Sequence, residues 1–266
     1  MPVRRSLDVH VLREALLTPG SRWASVDFLD EVDSTNLEAL RRPTPGRVVL
    51  TDHQSAGRGR LARTWQAPPR SSIAVSCVLP TGSTAASTLG WVPLVAGLAV
   101  ADALGDCGGV TTMLKWPNDV LAGAAGAAEV ELRKICGVLC QSAGDDVLVV
   151  GAGINVDQAP EELPVDTATS LLSCGAQVAR EDVIRAFLTH LREGYDAWLA
   201  GGRELADVRD RYRGRCATVG REVELHLPGG VTLRGRATGV DEEGRLLLDT
   251  GAGPRPHAAG DVVHVR

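Results

Sequence analysis

The residues most able to do chemistry are concentrated in five short motifs between positions 33 and 156. The first motif is Asp33-Ser34-Thr35-Asn36, which places hydroxyl and amide groups at the predicted start of a helix. Donors aimed at one point from a helix N-terminus suit a carboxylate or a polar ring. The same residue types are also the common N-caps of ordinary helices, so this motif alone does not define a site.

The second motif is the loop QSAGRGRLARTW, residues 54–65, in which three arginines alternate with small residues. A guanidinium binds phosphate through two parallel hydrogen bonds, and glycine lets the backbone approach an anion. Trp65, which closes the loop, offers a flat face to a nucleobase. The loop therefore predicts a phosphate or nucleotide site, although a solvated basic loop, or one that touches RNA, has the same composition.

Three further motifs predict strands that carry polar side chains. KWPNDV, residues 115–120, predicts a strand that delivers a lysine and a tryptophan into a turn. RKICGVL, residues 133–139, predicts a strand that begins at Lys134, whose compact ammonium can touch two anionic groups at once. GAGINV, residues 151–156, lacks the third glycine and the helix of a dinucleotide-binding fingerprint. Each of these motifs could by itself be an ordinary strand or turn.

Scarce residue types converge on these motifs. Of the 28 basic residues, 26 are arginines and two are the lysines Lys115 and Lys134. Asparagine occurs only at Asn36, Asn118 and Asn155. A bias toward Arg, Ala, Gly and Val is typical of drift in a GC-rich genome, so a residue kept against that bias marks a position to inspect. All of these scarce residues fall inside the motifs, which favours a functional site.

Length and composition exclude several classes of protein. The 266 residues suit one large domain, or one domain plus a small one, and the composition excludes a disordered, collagen-like or disulfide-scaffold chain. The net charge of −5 argues against a general nucleic-acid binder. The six cysteines lack C-x-x-C and zinc-finger spacing, which predicts reduced thiols in a cytoplasmic protein.

No membrane segment is predicted. The N-terminal stretch of residues 1–17 has charges within its apolar part, so it is predicted to be neither a signal peptide nor a membrane span. The longest apolar region, from Trp91 to Leu104, is interrupted by Pro, Gly and Asp and predicts a buried helix.

Hydrophobic spacing and turn signals predict the secondary structure. Helices are predicted at 7–17, from 35 onward, and at 90–105, 180–199 and 203–213. Strands are predicted at 47–52, 71–79, 112–116, 135–141 and 147–156, with the Ala/Gly-rich segment 122–130 as a flexible surface loop.

Two local patterns refine the helix predictions. In the first helix, Leu7, Val11 and Leu12 share one side, which we expect to be buried. In the second, Thr35 and Glu38 have the spacing of a capping box, so we expect their side chains to cap the first turn.

After Arg215 the sequence changes from helix and long-strand patterns to short strand patterns. Short strand patterns joined by PGG and DEEG turn signals predict an antiparallel barrel of about 50 residues. The predicted fold class is therefore α+β, with a first domain of residues 1–214 and a small C-terminal β-barrel of residues 215–266.

In this order, the five motifs resemble the pattern of the biotin–protein ligase family: STN, Q-x-x-GRGR followed by Trp, KWPND, RK-x-x-G-(I/V)-L and G-x-G-x-N-V. The resemblance covers roughly residues 25–175 closely, and the C-terminal barrel resembles the SH3-like domain of that family. It implies a mixed β-sheet with flanking helices, the class II synthetase-like fold of biotin–lipoate ligases.

The resemblance also implies an activity. ATP and biotin would react to biotinyl-5′-adenylate, with Mg²⁺ held mainly by the ATP phosphates and no certain metal ligand from the protein. A lysine of the biotin carboxyl carrier domain of an acyl-CoA carboxylase would then take the biotin.

Roles for individual residues are implied by the same resemblance. The biotin site would comprise Ser34, Thr35, Asn36, Gln54, Gly57, Arg58, Gly59, Arg60, Lys134 and Gly137. The ATP site would comprise Arg60, Arg63, Trp65, Lys115, Asn118 and Asn155, with Trp65 stacked on the adenine. The catalytic residues would be Lys134, Arg58, Arg60 and Asp119. Among these, Lys134 would contact the biotin carboxylate and the α-phosphate, and Asp119 is a candidate base for the second step.

Departures from the family pattern bear on these expectations. Ala62 stands where the pattern often has glycine, and the stretch between Asp119 and Lys134 is long. Ser34 lies too near the start to leave room for a winged helix-turn-helix, which needs roughly 60 residues. We therefore expect ligase activity without specific DNA binding.

Two alternatives remain open from the sequence. One is a lipoate or octanoate ligase or acyltransferase of the related group, in which Cys136 would be a nucleophile on the same side of a strand as Lys134. The other is a nucleic-acid-binding regulator, which the net charge opposes. The sequence leaves the choice between a monomer and a homodimer open.

Overall fold

The computed structural model describes residues 4–82, 86–144 and 146–265 and contains two β-sheets. The larger sheet has the strand order β1-β2-β3-β7-β6-β5-β4. Its strands are β1 (Ser25–Val32), β2 (Arg47–Gln54), β3 (Ser72–Pro80), β4 (Thr111–Lys115), β5 (Asp119–Gly123), β6 (Arg133–Ser142) and β7 (Val147–Asn155). The first pair is parallel and the others are antiparallel, so the sheet is mixed, as predicted.

Helices cover both faces of this sheet. They are α1 (Val9–Leu16), α2 (Thr35–Arg41), α3 (Val92–Gly108), α4 (Arg180–Ala200) and α5 (Gly202–Gly214). Alternate strand residues point to opposite faces, so Val48 and Leu50 join the main core, whereas Val49 packs beneath Ala39 of α2. Helices α3 and α4 pack on the main core side, and the short helix α2 leaves part of the opposite face open.

The helix α3 confirms the predicted buried helix. By length and composition, the segment Thr88–Gly108 could span a membrane, but 67% of its most apolar stretch is buried inside the protein. It packs against α4 and against β4, β5 and β6. This is the packing of a core helix.

The smaller sheet lies at the C-terminus and is wholly antiparallel, in the order β11-β10-β9-β8-β12. Its strands are β8 (Glu222–His226), β9 (Thr232–Val240), β10 (Leu246–Asp249), β11 (Pro254–His257) and β12 (Asp261–His264). This arrangement fits the predicted small barrel. The domain boundary after residue 214 stays a prediction.

The two sheets are joined by hydrogen bonds from buried tryptophans. Trp91 Nε1 donates to the carbonyl oxygens of Asp241 and Glu242, and Trp116 Nε1 donates to the carbonyl of Gly244 at 3.0 Å. Both rings are almost completely buried. A Cβ on Gly90 would lie 2.3 Å from the carbonyl oxygen of Glu243, so this contact requires glycine. The C-terminal sheet is thereby held against the KWPND turn.

Several predictions of local structure were wrong in detail. Strands β1, β5 and β11 were not predicted, and the first residues of the proposed flexible loop, Ala122 and Gly123, belong to β5. Val11 is 49% exposed, because the buried side of α1 is formed by Leu12 and Leu16 together with Leu7. The remaining predicted helices and strands are present, with ends shifted by a few residues.

The capping box was also wrong. Helix α2 begins at Thr35, as predicted, but Ser34 is its N-cap and makes no side-chain capping hydrogen bond. Glu38 instead binds the Arg47 guanidinium at 2.9 Å, because this buried cation at the start of β2 needs an anionic partner.

Arg47 anchors α2 and therefore the Ser34–Asn36 motif. Its side chain is 3% exposed and forms ion pairs with Asp27 at 2.7 Å and Glu38 at 2.9 Å. It also donates to the backbone carbonyls of Glu38 and Arg42. These bonds tie β1, β2 and α2 together at one point.

We expect Arg47→Met to lower the free energy of unfolding by about 3 kcal/mol, because it removes one partner of a buried ion-pair network. Arg42→Met is the matched control, since Arg42 also pairs with Asp27 but its side chain is 66% exposed. The control should cost less than about 1 kcal/mol. Urea unfolding of both variants at neutral pH measures the difference, and equal losses would contradict the anchoring role.

Candidate active site

The candidate site occupies the open part of the large sheet beside α2. Two adjoining cavities lie there, with volumes of about 150 Å³ and 530 Å³. They share one set of lining residues: Arg63, Thr64, Trp65, Lys115, Asp119 and Lys134. The five motifs therefore meet at one place, as their convergence of scarce residues indicated.

The first cavity gathers the residues expected to bind biotin. It is lined by Ser34, Thr35, Asn36, Gln54, Arg58, Gly59, Arg60, Lys134 and Gly137. Gly57 does not line it: its carbonyl accepts a hydrogen bond from the Trp65 amide at 2.9 Å, and a Cβ there would lie 2.4 Å from the Trp65 carbonyl oxygen. Gly57 thus closes the base of the 54–65 loop, which we call the arginine loop.

The STN motif is built into a hydrogen-bonded network. The Thr35 amide donates to Gln54 Oε1 at 2.8 Å, which joins the first two motifs. Asn36 donates to the Leu139 carbonyl, and Ser76 Oγ donates to Asn36 Oδ1 at 2.6 Å. These buried groups have fixed orientations, so the cavity wall is polar but rigid.

Lys134 is positioned at the junction of the two cavities. Its Nζ lies 2.6 Å from Asp119 Oδ1, and its side chain remains 37% exposed. A bulge in the pairing of β5 with β6 inserts Ile135 between the residues paired with Leu121 and Val120. Because of this bulge, Lys134 lies over Gly137, with 3.4 Å between Nζ and a Cβ placed on that glycine.

The same bulge overturns the expected position of Cys136. We expected Cys136 to face the same side as Lys134, but its side chain is completely buried in the main core. Burial raises the pKa of the Cys136 thiol well above its ordinary value. Cys136 therefore has neither the access nor the thiolate that a nucleophile requires.

Arginines of the 54–65 loop bring further positive charge to the first cavity. Arg60 donates to Asn118 Oδ1 at 3.1 Å, so the KWPND turn holds this guanidinium, and burial lowers the pKa of Arg60. Arg63 forms an ion pair with Asp261 of β12. The loop is thus tied at one end to the large sheet and at the other to the C-terminal sheet.

Trp65 forms the partition between the cavities. It lies over β7, where a Cβ on Gly153 would be 2.6 Å from its Cε2 atom, and it also approaches Gly137. The ring lines both cavities, and its Nε1 is buried without a hydrogen-bond partner among the residues that the structure describes. A flat ring in this position can offer one face to each cavity.

The residues expected to bind ATP divide between the two cavities. Arg60 and Asn118 line the first, and Asn155 lines the second. The side chain of Asn155 is already engaged, since Nδ2 donates to the Thr169 carbonyl and Oδ1 accepts from Gln158. Asn155 therefore shapes the wall of the second cavity through fixed internal bonds.

Lys115 lines both cavities, so the structure brings together the only two lysines of the chain. Burial lowers the pKa of Lys115, while the nearby Asp119 opposes that shift. The Trp116–Pro117 peptide bond that follows it is cis.

Sequence reasoning missed three residues of β12. Asp261 and Val262 line the first cavity, and His264 lines the second. They come from the smaller sheet, and the DVVHVR pattern signalled only a strand. Ser76 was also missed, although the alternation of small residues at Ser72, Ala74 and Ser76 along β3 was a usable signal for an open sheet face.

The carboxylates of the site fit Mg²⁺ only as a companion of a polyphosphate. Asp119 and Asp261, which line the first cavity, are each paired with a cation of the protein. Within residues 4–82, 86–144 and 146–265, no group of three His, Cys, Asp or Glu side chains could hold a metal ion.

Comparisons with known proteins agree with this geometry. Residues 28–158 match the biotin/lipoate A/B protein ligase family, and residues 218–265 match the biotin protein ligase C-terminal domain. The chain is 38% identical to the biotin–[acetyl-CoA-carboxylase] ligase of Mycobacterium tuberculosis, over 99% of this chain and 98% of that protein. It is 28% identical to the bifunctional ligase/repressor BirA of Escherichia coli, over 90% of this chain and 73% of that protein.

A solved structure has the same fold. The biotin protein ligase of Aquifex aeolicus in complex with biotin and ATP matches with a TM-score of 0.76 and 30% identity, over 91% of this chain and 99% of that one. The chain belongs to the biotin–protein ligase family.

Gly153 supports the position of Trp65, so we expect Gly153→Ala to displace that ring from the sheet. The expected result is an increase of about tenfold or more in the KM for ATP, since stacking on an aromatic ring contributes about 1–3 kcal/mol per base. Gly239→Ala is the matched control, because its Cβ would meet only Leu247 at 3.7 Å. Steady-state kinetics of both variants measure the effect, and an unchanged KM in Gly153→Ala would contradict it.

Proposed function

We propose that this protein is an ATP-dependent ligase that converts biotin to biotinyl-5′-adenylate and transfers the biotin to a lysine of a biotin carboxyl carrier domain of an acyl-CoA carboxylase. One observation carries the proposal: two cavities of different lining meet at Lys134. The smaller one contains the Ser34–Asn36 motif and the larger one contains Asn155. This arrangement suits a reaction that joins two separately bound anions.

The first step must overcome repulsion between two anions. The biotin carboxylate attacks the α-phosphorus of ATP, and the bond from that phosphorus to the bridging oxygen of pyrophosphate breaks. Lys134 has three donors and can contact both the carboxylate and an α-phosphate oxygen. Arg60, held by Asn118, adds fixed positive charge in a half-buried site, where it stabilises the transition state more than it would in water, and Arg58 lines the same cavity.

Mg²⁺, held by the ATP phosphates, would neutralise charge on the departing pyrophosphate. The contribution of the protein is to hold the phosphates in place. Asn118 fixes the Arg60 guanidinium, and Asp261 fixes that of Arg63. These contacts orient the arginine loop before the substrates arrive, which lowers the entropy lost when they bind.

A reactive acyl-adenylate must be kept from water until the carrier lysine arrives. The 54–65 loop forms one side of the first cavity, and Trp65 separates it from the second. Closure of this loop over the intermediate would exclude water.

In the second step the carrier lysine must lose a proton before its amine attacks the acyl carbon. Asp119 is the candidate base, since its carboxylate lies at the junction of the cavities. An alternative role is to attract the incoming ammonium. The amine forms an amide with biotin, and AMP leaves with the oxygen of the mixed anhydride.

The acyltransferase alternative is not favoured, since Cys136 is buried and its thiol is kept protonated. We propose a cytoplasmic location and a boundary between the ligase domain and the barrel after Gly214, where α5 ends. We also propose that the protein does not bind DNA specifically. Its active form would be a monomer or a homodimer.

The direct test is release of pyrophosphate by the purified protein with ATP, Mg²⁺ and biotin. We expect release to depend on biotin, and a purified biotin carboxyl carrier domain to become labelled at one lysine. Replacement of biotin by lipoate or octanoate is the control and should give little release. Release that is independent of biotin, or faster with lipoate, would contradict the proposal.

We expect Lys134→Arg to reduce the rate of adenylate formation by about 100-fold or more, although it preserves the charge. A planar guanidinium cannot take the place of a compact ammonium between two anions. Arg203→Lys, an exposed change on α5, is the control for general effects on folding. Biotin-dependent exchange of labelled pyrophosphate into ATP measures the first step. Near-normal exchange in Lys134→Arg would contradict the role of Lys134 in adenylate formation.

A further inference from the structure

Among the residues that the structure describes, His264 is the one from the C-terminal sheet that lines the second cavity. This residue ends β12 and lines the cavity together with Lys115 and Trp65. Like Asp261 and Val262 of the same strand, it lies outside the five sequence motifs.

A short hydrogen-bonded chain fixes the ring. The Trp116 amide, within the KWPND turn, donates to Thr218 Oγ1 at 3.1 Å. Thr218 Oγ1 lies 3.3 Å from His264 Nε2. Thr218 is buried, and among the residues that the structure describes its hydroxyl proton has no acceptor other than Nε2, so the hydroxyl donates to this nitrogen. Nε2 is then the acceptor, and in the neutral ring Nδ1 carries the proton.

Burial, aided by the charges around His264, keeps the ring neutral. The charged groups that face it are Lys115 on β4, Arg221 just before β8, and Glu129 in the Ala/Gly-rich segment. Burial, together with Lys115 and Arg221, lowers the pKa of His264 to about 4, and Glu129 only partly opposes this. At neutral pH the ring therefore offers one N–H donor and adds no charge beside Lys115.

We infer that His264 is a nucleotide-binding residue, whose Nδ1–H donates a hydrogen bond to an oxygen of ATP in the second cavity. The inference rests on the proposed function in taking this cavity as the ATP site. Nδ1 has no hydrogen-bond partner among the residues that the structure describes, while Nε2 is held by Thr218. The C-terminal sheet thus contributes a direct contact to the nucleotide as well as the Asp261 contact to the loop.

Binding is tested without turnover by NMR of the full chain labelled in histidine with ¹³C and ¹⁵N. The His264 signals are assigned by their loss in His264→Gln. We expect them to shift when Mg²⁺ and the nonhydrolysable analogue AMP-PNP are added, and the ¹⁵N shifts to show a protonated Nδ1. His264 signals that do not respond at a concentration of AMP-PNP that saturates the protein by calorimetry would overturn the inference.

Kinetics separate a contact to ATP from a structural role. We expect His264→Leu to raise the KM for ATP about five- to tenfold, the effect of one lost hydrogen bond, and to leave the KM for biotin unchanged. His264→Gln, which retains a donor and an acceptor, should restore much of the loss. The control is His226→Leu, because His226 also pairs with a threonine on this sheet but is exposed and outside both cavities.

Two results would count against the contact. An unchanged KM for ATP in His264→Leu would overturn it, and so would equal changes in both KM values, which would indicate a purely structural role. Failure of the proposed function is recognised separately. In that case the wild-type protein would release no biotin-dependent pyrophosphate, while the NMR response to AMP-PNP would still decide the role of His264.

Discussion

The concentration of positive charge in a half-buried site is the constraint on which the rest of the structure depends. Five basic and two acidic side chains line the first cavity, in a chain whose net charge is −5. Cations held this close repel one another, and burial disfavours them further, as the lowered pKa values of Arg60 and Lys115 indicate. The folded protein holds three of them, Lys134, Arg60 and Arg63, by separate contacts.

The surrounding elements supply these contacts from two different parts of the chain. Asp119 in the hairpin of β4 and β5 holds Lys134, Asn118 in the same turn holds Arg60, and Asp261 of the C-terminal sheet holds Arg63. The tryptophan contacts between the two sheets thus have a role beyond stability. They place β12 where its carboxylate can reach the arginine loop, so the two sheets act as one site.

The sequence indicated which motifs come together in the candidate site, but not the internal geometry of that site. The convergence of scarce residue types marked the motifs that contain Lys134 and Asn36 as parts of one site, and both line the first cavity. The bulge in β6 is set by pairing with β5, a strand that was not predicted, and so the relation of Lys134 to Cys136 was wrong. His264 gave no local signal, because its role depends on how a distant sheet docks.

The two lysines illustrate what composition could and could not indicate. Their scarcity marked Lys115 and Lys134 as positions to inspect, and both line both cavities. Their surroundings differ: Lys134 is partly exposed and paired with Asp119, whereas burial lowers the pKa of Lys115. Arginine would suit neither position, because a bulky planar fork needs more space and more partners than a cavity already crowded with guanidinium groups provides. Steric crowding therefore gives a physical reason for lysine at both positions, independent of genome composition.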